Sequence, residues 1–458
     1  MARKKKIIEM EIQDTVFPNK SIGQYEGNTI ICKGGIKGQK VRVLLNRKRQ
    51  DYIEGRILEL IEDSPLETEI GCPHQGECGG CVYQKLSYET ELKYKETQVL
   101  NLFREAEIVD FNYLGIGGSP SIIGYRNKME YTFGDLMKEG PLSLGLNKKG
   151  RYYEVVEIPN CSIADRDFTI IWQEVLRYFR SLGIPKYNKR THEGVLRHLV
   201  IRKALSTGEI LVNLVTSSQE EINIEEFKNL LIQCNEIEGN IVGIFHTIND
   251  SLSDAVIPED LRLIYGRNYI IEEILGLKFK VSPFSFFQTN TFGAERLYSI
   301  VREFVGDEKN NIVFDLYSGT GTIAQILSPI CQKVIGIEIV EEAVEKACEN
   351  AKLNKLDNVE FIAGDVLKVV DTIEEKPNLI IIDPPREGIH PKAINKIIDF
   401  NPDRFVYVSC NPVTLVRDLK VFEGRGYKLD KMRLMDQFPR TPHVEVVTLL
   451  TRSETSCK

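Results

Sequence analysis

At 458 residues, 42% hydrophobic and 27% charged, the chain has the composition of a folded protein too long for one ordinary domain. No apolar run reaches the roughly 18–20 residues that span a bilayer. The start Met1-Ala2-Arg3-Lys4-Lys5-Lys6 is basic but lacks a signal peptide's apolar stretch, so a cytoplasmic protein without a membrane partner is expected. Ten cysteines in that setting are ligands, nucleophile or core rather than a disulfide framework. The net charge is −7, yet residues 1–60 hold 13 Lys/Arg against 7 Asp/Glu, which leaves −13 on the remainder. A basic first domain on an acidic body fits a nucleic-acid-binding appendage, and a solvated lysine-rich terminus is the plainer alternative.

In chain order, Ile7–Ile12, Thr29–Lys33, Lys40–Asn46 and Tyr52–Glu62 mix apolar and polar residues as half-buried strands do, with turns at Gly34-Gly35 and Gly38. A small five-strand barrel of the OB type fits, with Arg47-Lys48-Arg49 suited to a phosphate backbone. Cys72, Cys78 and Cys81 follow, spaced for a metal site around Gly79-Gly80, with Cys161 80 positions beyond. Spacing alone leaves an iron–sulfur cluster and zinc, with His74 close by, equally open. Leu86–Arg104 reads as a helix with Leu92, Val99, Leu100 and Phe103 on one face. From about 120 to 280 the pattern is α+β: a strand at Met129–Phe133, a helix at Thr169–Ser181, and the strand pair Leu196–Lys203 and Glu209–Thr216.

Past residue 310, apolar strands alternate with amphipathic helices, the pattern of a doubly wound, Rossmann-like α/β sheet. Strand Asn311–Leu316 runs into Tyr317-Ser318-Gly319-Thr320-Gly321-Thr322, whose glycines permit a tight turn and close approach to a ligand. The next strand ends in Glu338, placed to hold a ribose hydroxyl pair, and a third, Val359–Ala363, ends near Asp365. This crevice by itself admits NAD as well as S-adenosylmethionine. Two further strands end in Asp383-Pro384-Pro385-Arg386 and Ser409-Cys410-Asn411-Pro412, and Pro442-His443-Val444-Glu445 opens a late strand. Methylating carbon 5 of a uracil requires a thiol to add at carbon 6, a group to hold the uracil edge, and a base to remove the carbon 5 proton. Cys410, Asp383 and Glu445 supply that set. Taken singly, Cys410 reads as a core cysteine and Glu445 as a solvated carboxylate.

From about residue 70 onward the chain resembles the RNA 5-methyluridine methyltransferases. The matching segments are Ser282–Asn290, Asp315–Gly321, Asp383–Arg386, Ser409–Pro412 and His443–Glu445. The resemblance implies that Gln288, Tyr317, Glu338 and Asp365 contact S-adenosylmethionine and that Asp383 lies between cofactor and uracil. It makes Cys410 the nucleophile and Glu445 the base. Ser318 stands where many members have Cys, and Thr322-Ile323 where they have Asn-Phe. The branch acting on ribosomal RNA carries the Cys72, Cys78, Cys81, Cys161 pattern with a [4Fe–4S] cluster, so that cluster is expected here, with zinc the alternative. The amino-terminal barrel resembles a TRAM domain, and a flipped uridine in an RNA loop is the expected substrate.

The implied layout is a TRAM-like barrel over 1–63, a central iron–sulfur domain over 64–90 and 120–280, and a catalytic domain over 91–119 and 281–458. A monomer acting on 23S ribosomal RNA is expected. The T-loop of transfer RNA, a cytosine 5-methyltransferase and an inactive iron–sulfur RNA-binding protein are the alternatives. Tyr125-Arg126-Asn127-Lys128 and Arg197-His198 are candidates for touching RNA, or else strand residues.

Overall fold

The computed structural model of the protein describes residues 6–68, 71–254, 256, 259–369 and 373–453. Most of the basic start and Cys457 lie outside the described residues. The chain divides into two compact units, one of Met1–Gly71, Cys81–Ser119 and Ile382–Lys458, the other of Cys72–Gly80 and Pro120–Ile381.

The first unit opens with six strands, β1 (Ile7–Glu11), β2 (Asp14–Val16), β3 (Lys20–Tyr25), β4 (Asn28–Lys33), β5 (Lys40–Lys48) and β6 (Ile53–Glu62). They form one sheet in the order β1-β5-β6-β4-β3-β2. Strict alternation in β1 sends Ile8 and Met10 inward, onto a core with Ile12, Ile30, Cys32, Val41 and Val43. The sheet curls until β1 meets β3, where a Cβ on Gly23 would lie 2.8 Å from the Glu11 carbonyl oxygen. The sequence reading missed β2 and β3. The inward residues of β3 are Ser21 and Gly23, so the strand has no apolar face to betray it.

Helix α1 (Tyr88–Glu105) starts where Ser87 accepts the Thr90 amide at 3.2 Å. Its buried residues are Glu91, Lys95, Gln98, Val99 and Phe103, whereas Leu92 and Leu100 are only half-buried. Val99 and Phe103 of the expected face are thus buried, and Glu91, Lys95 and Gln98 take the place of its two leucines. Strand β7 (Asn112–Gly117) follows.

The second unit holds β8 (Lys128–Gly134), β9 (Ser143–Lys148), β10 (Arg151–Val156), α2 (Arg166–Leu182), β11 (Leu196–Lys203), β12 (Glu209–Thr216), α3 (Ile224–Ile232), β13 (Asn240–Ile248) and β14 (Asp260–Gly266). The strands form a seven-stranded sheet, β10-β9-β8-β11-β12-β13-β14, parallel between β12 and β13. Helix α2 lays Phe168, Ile171, Trp172, Val175 and Phe179 into its core, and Trp172 Nε1 donates to the Leu144 carbonyl at 2.7 Å. The hairpin of β15 (Ile270–Ile274) and β16 (Leu277–Val281) leads to α4 (Thr291–Val305).

The same unit continues with β17 (Glu308–Leu316), α5 (Thr322–Leu327), β18 (Cys331–Glu338), α6 (Glu341–Leu353), β19 (Val359–Ala363), α7 (Val366–Val369) and β20 (Leu379–Ile382). The strand order here is β19-β18-β17-β20. The chain winds outward from β17 and returns to its other side, a switch point that opens a crevice at the strand ends. In the first unit, α8 (Pro391–Asp399), β21 (Arg404–Ser409), α9 (Pro412–Gly424), β22 (Tyr427–Met435) and β23 (Glu445–Arg452) give the order β21-β23-β22-β7. Among the described residues no helix is long and apolar enough to cross a membrane.

Candidate active site

The loop between β17 and α5 is built for close approach. Buried Asp315 accepts the Ala324 amide at 2.9 Å, tying the strand end to the helix start. Tyr317 lies at φ +63°, a strained setting for a residue with a side chain. Gly319 and Gly321 follow at φ +55° and +73°. A Cβ on Gly321 would strike the Phe361 ring, whereas one on Gly319 would meet open space, so the cradle is walled on one side and open on the other. Glu338, at the end of β18, accepts the Gly319 amide and the Val340 amide, each at 3.0 Å. Asp365 is half-buried and accepts the Leu367 amide at 3.0 Å, capping α7. Gln288 lies between β16 and α4, its carbonyl accepting from Asn127 Nδ2 at 2.9 Å. Half-buried acids and amide donors around an open glycine turn fit a ligand bearing a ribose and an amino acid, such as S-adenosylmethionine.

In the first unit, β21 and β23 are antiparallel, with Ser409 opposite Val446. One step further along that register sets Cys410 opposite Glu445. Cys410 directly follows β21 and precedes α9, which Asn411 caps by accepting the Val413 amide at 3.3 Å. The Asp383–Arg386 loop is bound to the same helix start, since Asn411 Nδ2 donates to the Arg386 carbonyl at 2.9 Å. Further support comes from buried Asp418, which accepts the Ile389 amide at 2.9 Å and the Tyr407 hydroxyl at 2.8 Å. Nothing in the sequence marks Asp418, because an acid on an amphipathic helix normally faces water.

The electrostatics follow from burial. Glu445 is 4% exposed, and burial, reinforced by Asp383, pushes its carboxyl up to about 8. Burial raises Asp383 to about 7. Cys410 is pushed up to about 12, first by burial, then by the Glu445 and Asp383 charges, with Arg386 opposing. The thiol is therefore protonated at neutral pH, Glu445 is mostly so, and Asp383 is poised to donate or accept a hydrogen bond.

The cysteines of the other motif are placed differently. Cys72, Cys78 and Cys161 are half-buried neighbours in the second unit, near enough that Cys78 is raised by burial and further by the other two thiols. Cys81 belongs to the first unit. Three soft thiols together suit iron–sulfur or zinc in donor chemistry. Even so, among the described residues no three Cys, His, Asp or Glu converge closely enough to hold a metal ion.

Of the central RNA candidates, Tyr125, Asn127, Arg197 and His198 are buried, whereas Arg126 and Lys128 are half-buried. Arg197 is buried and donates to the carbonyls of Asn249, Ser251 and Ser253. His198 is buried and pushed down to about 4 by burial, hence neutral. Tyr125 and Asn127 are buried, and Lys128 pairs with Glu130 at 2.7 Å.

A family model described as tRNA (Uracil-5-)-methyltransferase matches residues 198–453. An uncharacterized RNA methyltransferase of Clostridium tetani is 52% identical over 99% of each chain. Another, from Caldanaerobacter subterraneus subsp. tengcongensis, is 50% identical over 98% of this chain and 100% of its own. Among solved structures, the Pyrococcus abyssi tRNA (uracil-54, C5)-methyltransferase in complex with S-adenosyl-L-homocysteine is 26% identical, with a TM-score of 0.75 over 96% of this chain and 100% of that one. The mixed α/β methyltransferase fold is therefore shared. With the family model matching more than half of the chain and such relatives along its whole length, the chain belongs to the tRNA (uracil-5-)-methyltransferase family of RNA methyltransferases.

Proposed function

We propose that the protein transfers a methyl group from S-adenosylmethionine to carbon 5 of a uridine in RNA, with Cys410 as nucleophile. The observation that carries this reading is the grouping of Cys410, Glu445 and Asp383, a thiol and two carboxyls whose protons are all held near or above neutrality by burial. Gln288, Tyr317, Glu338 and Asp365 would hold S-adenosylmethionine, with Asp383 beside its reacting end. When bound, that cofactor supplies an electrophilic methyl on a sulfonium.

The chain's own residues do the rest. Cys410 Sγ bonds to carbon 6 of the uracil, its proton passing to a neighbouring carboxylate, and the ring becomes an enolate with electron density on carbon 5. Asp383, poised near neutrality, accepts from the ring N–H or donates to a ring carbonyl, which fixes the base edge-on. After carbon 5 has taken the methyl, the Glu445 carboxylate removes the proton left there. The carbon 5–carbon 6 double bond re-forms as the C–S bond breaks, and the thiol is regenerated. The target base has to leave its stack to reach this chemistry, which favours a loop uridine.

For the RNA itself, ribosomal RNA is the first reading, supported by the Cys72, Cys78, Cys81, Cys161 pattern and the TRAM-like barrel. In this reading the protein is a cytoplasmic monomer with a barrel over 1–63, a central domain over 64–90 and 120–280, and a catalytic domain over 91–119 and 281–458. The four cysteines hold a [4Fe–4S] cluster, with zinc the alternative. The T-loop of transfer RNA is the second reading, favoured by the likeness to a tRNA (uracil-54, C5)-methyltransferase. The test is mass-spectrometric mapping of 5-methyluridine after incubating unmodified 23S ribosomal and transfer RNA transcripts with the enzyme and S-adenosylmethionine. A new 5-methyluridine in either class upholds the reaction and names the RNA. Cys410→Ala should form none while still binding the cofactor, and retained turnover by that variant would refute the mechanism.

A further inference from the structure

Beside the β10 edge of the seven-stranded sheet, three segments of the second unit converge on a pair of uncovered aromatic rings. Tyr152 and Tyr153, in edge strand β10, are 50% and 58% exposed, and their rings meet edge to face at 5.6 Å. The register between β10 and β9 breaks between Arg151 and Val155, a bulge that lifts both tyrosines out of the ladder. Lys189 Nζ lies 4.3 Å from the centre of the Tyr152 ring and the Arg190 guanidinium 5.2 Å from that of Tyr153. Asp254 anchors the group, accepting from the Tyr152 hydroxyl at 2.6 Å and from Lys189 at 2.7 Å. The turn that presents Arg190 is also built, because Asn188 Oδ1 accepts the Arg190 amide at 2.9 Å.

A buried tyrosine pair would be ordinary core. Here the rings face solvent, already oriented, in basic surroundings on a chain of net charge −7. Residues 147–153 and 186–192 together hold six Lys/Arg and no Asp/Glu, with Glu154, Asp135 and Asp254 offsetting part of that charge. Pre-oriented rings give a sequence-tolerant surface for a base, and the cations meet its phosphates. We infer that Tyr152, Tyr153, Lys189 and Arg190 form a stacking platform for single-stranded RNA flanking the target loop. This rests on the reading of the protein as an enzyme acting on RNA.

The test is fluorescence anisotropy of the intact protein with a labelled twelve-residue oligouridylate, beside methyl transfer to the RNA transcripts. Tyr153→Ala is expected to weaken oligouridylate binding by roughly 5- to 100-fold, and Tyr153→Trp to keep it within about twofold. Arg190→Gln is expected to weaken binding and to make log affinity against log salt shallower by about 0.7. In methyl transfer, Tyr153→Ala should raise the KM for RNA and leave kcat at saturating RNA unchanged. Absence of oligouridylate binding by the wild type, or Tyr153→Ala binding as tightly as wild type, would overturn the platform. So would self-association in sedimentation that Tyr153→Ala abolishes, which assigns the patch to a second copy. If wild-type protein binds oligouridylate through Tyr153 yet methylates neither transcript, the proposed reaction fails and the platform stands.

Discussion

Glu445 is a carboxyl held at about 8 inside a strand end, and two consequences follow from that one value. In the proposed role of base that frees the covalent adduct, it would work only when ionised. The release step should therefore rise about tenfold per pH unit below 8 and level off above it, read by single-turnover quench between pH 6 and 9. Glu445→Gln removes the base but keeps the shape, so a denaturation-resistant RNA–protein adduct should accumulate on a gel. The linkage sign runs the other way for stability. A folded pKa raised from 4.5 favours the folded state below the unfolded value and loses that contribution as pH climbs through about 8. Glu445→Gln should thus be more stable to unfolding than wild type at pH 9, by on the order of 2–4 kcal/mol, and melt higher, with little difference at pH 4. Equal melting at both values would show that Glu445 ionises as freely as in the unfolded chain.

At the level of elements, the glycine turn and helix α1 impose the strictest demands. Gly321 combines φ +73° with a Cβ position filled by the Phe361 ring, so Gly321→Ala should displace the loop or the ring. Calorimetric affinity for S-adenosylmethionine should fall at least tenfold, while Gly424→Ala, whose Cβ meets open space, should leave it unchanged. Helix α1 turns a charged face inward. Lys95, 1% exposed, donates to Glu91 and Asp436, each at 2.8 Å, and the Arg440 amide donates to Glu91 at 2.6 Å. This network grips the segment from Asp436 to Arg440, only five residues before Glu445 at its nearer end. Lys95→Met leaves buried Asp436 without its cation, while Glu91 keeps only the Arg440 guanidinium at 3.2 Å, and should cost about 3–5 kcal/mol in urea unfolding. The double change with Glu91→Gln should recover part of that loss.

For the whole molecule, the question is what the cysteine pattern holds. Under the iron–sulfur reading, anaerobically purified protein is brown, with broad visible absorbance and about four irons per chain. Colourless protein with one zinc per chain would replace the cluster with the alternative. Methyl transfer consumes no electrons, so either metal would act on folding or RNA contact rather than on chemistry. Chain charge fits the same division of labour. The basic excess is confined to the first 60 residues and to small patches such as that around Arg190, and the rest of the body is acidic.

The glycine turn, its partner Glu338 and the strand-end thiol were legible in the sequence because each depends on spacing along a few residues, where backbone conformation and strand period decide the outcome. Strands β11 and β12 were also legible, as two apolar-rich, β-branched runs on either side of a Ser206-Thr207-Gly208 turn. Strands β2 and β3 were not, because Ser21 and Gly23 face a core that only a curled sheet creates. The polar inner face of α1 was equally hidden: Lys95 and Glu91 are buried in a network of two cations and two anions that Asp436 and Arg440, more than 340 positions away, complete. Sequence alone nominated Cys410, Asp383 and Glu445 together as a set, on chemistry and resemblance. The alignment of their strand ends and their raised pKa values belong to the β21–β23 register and to burial. Neither property exists until distant strands are packed, since hydrophobic period is local and desolvation is not.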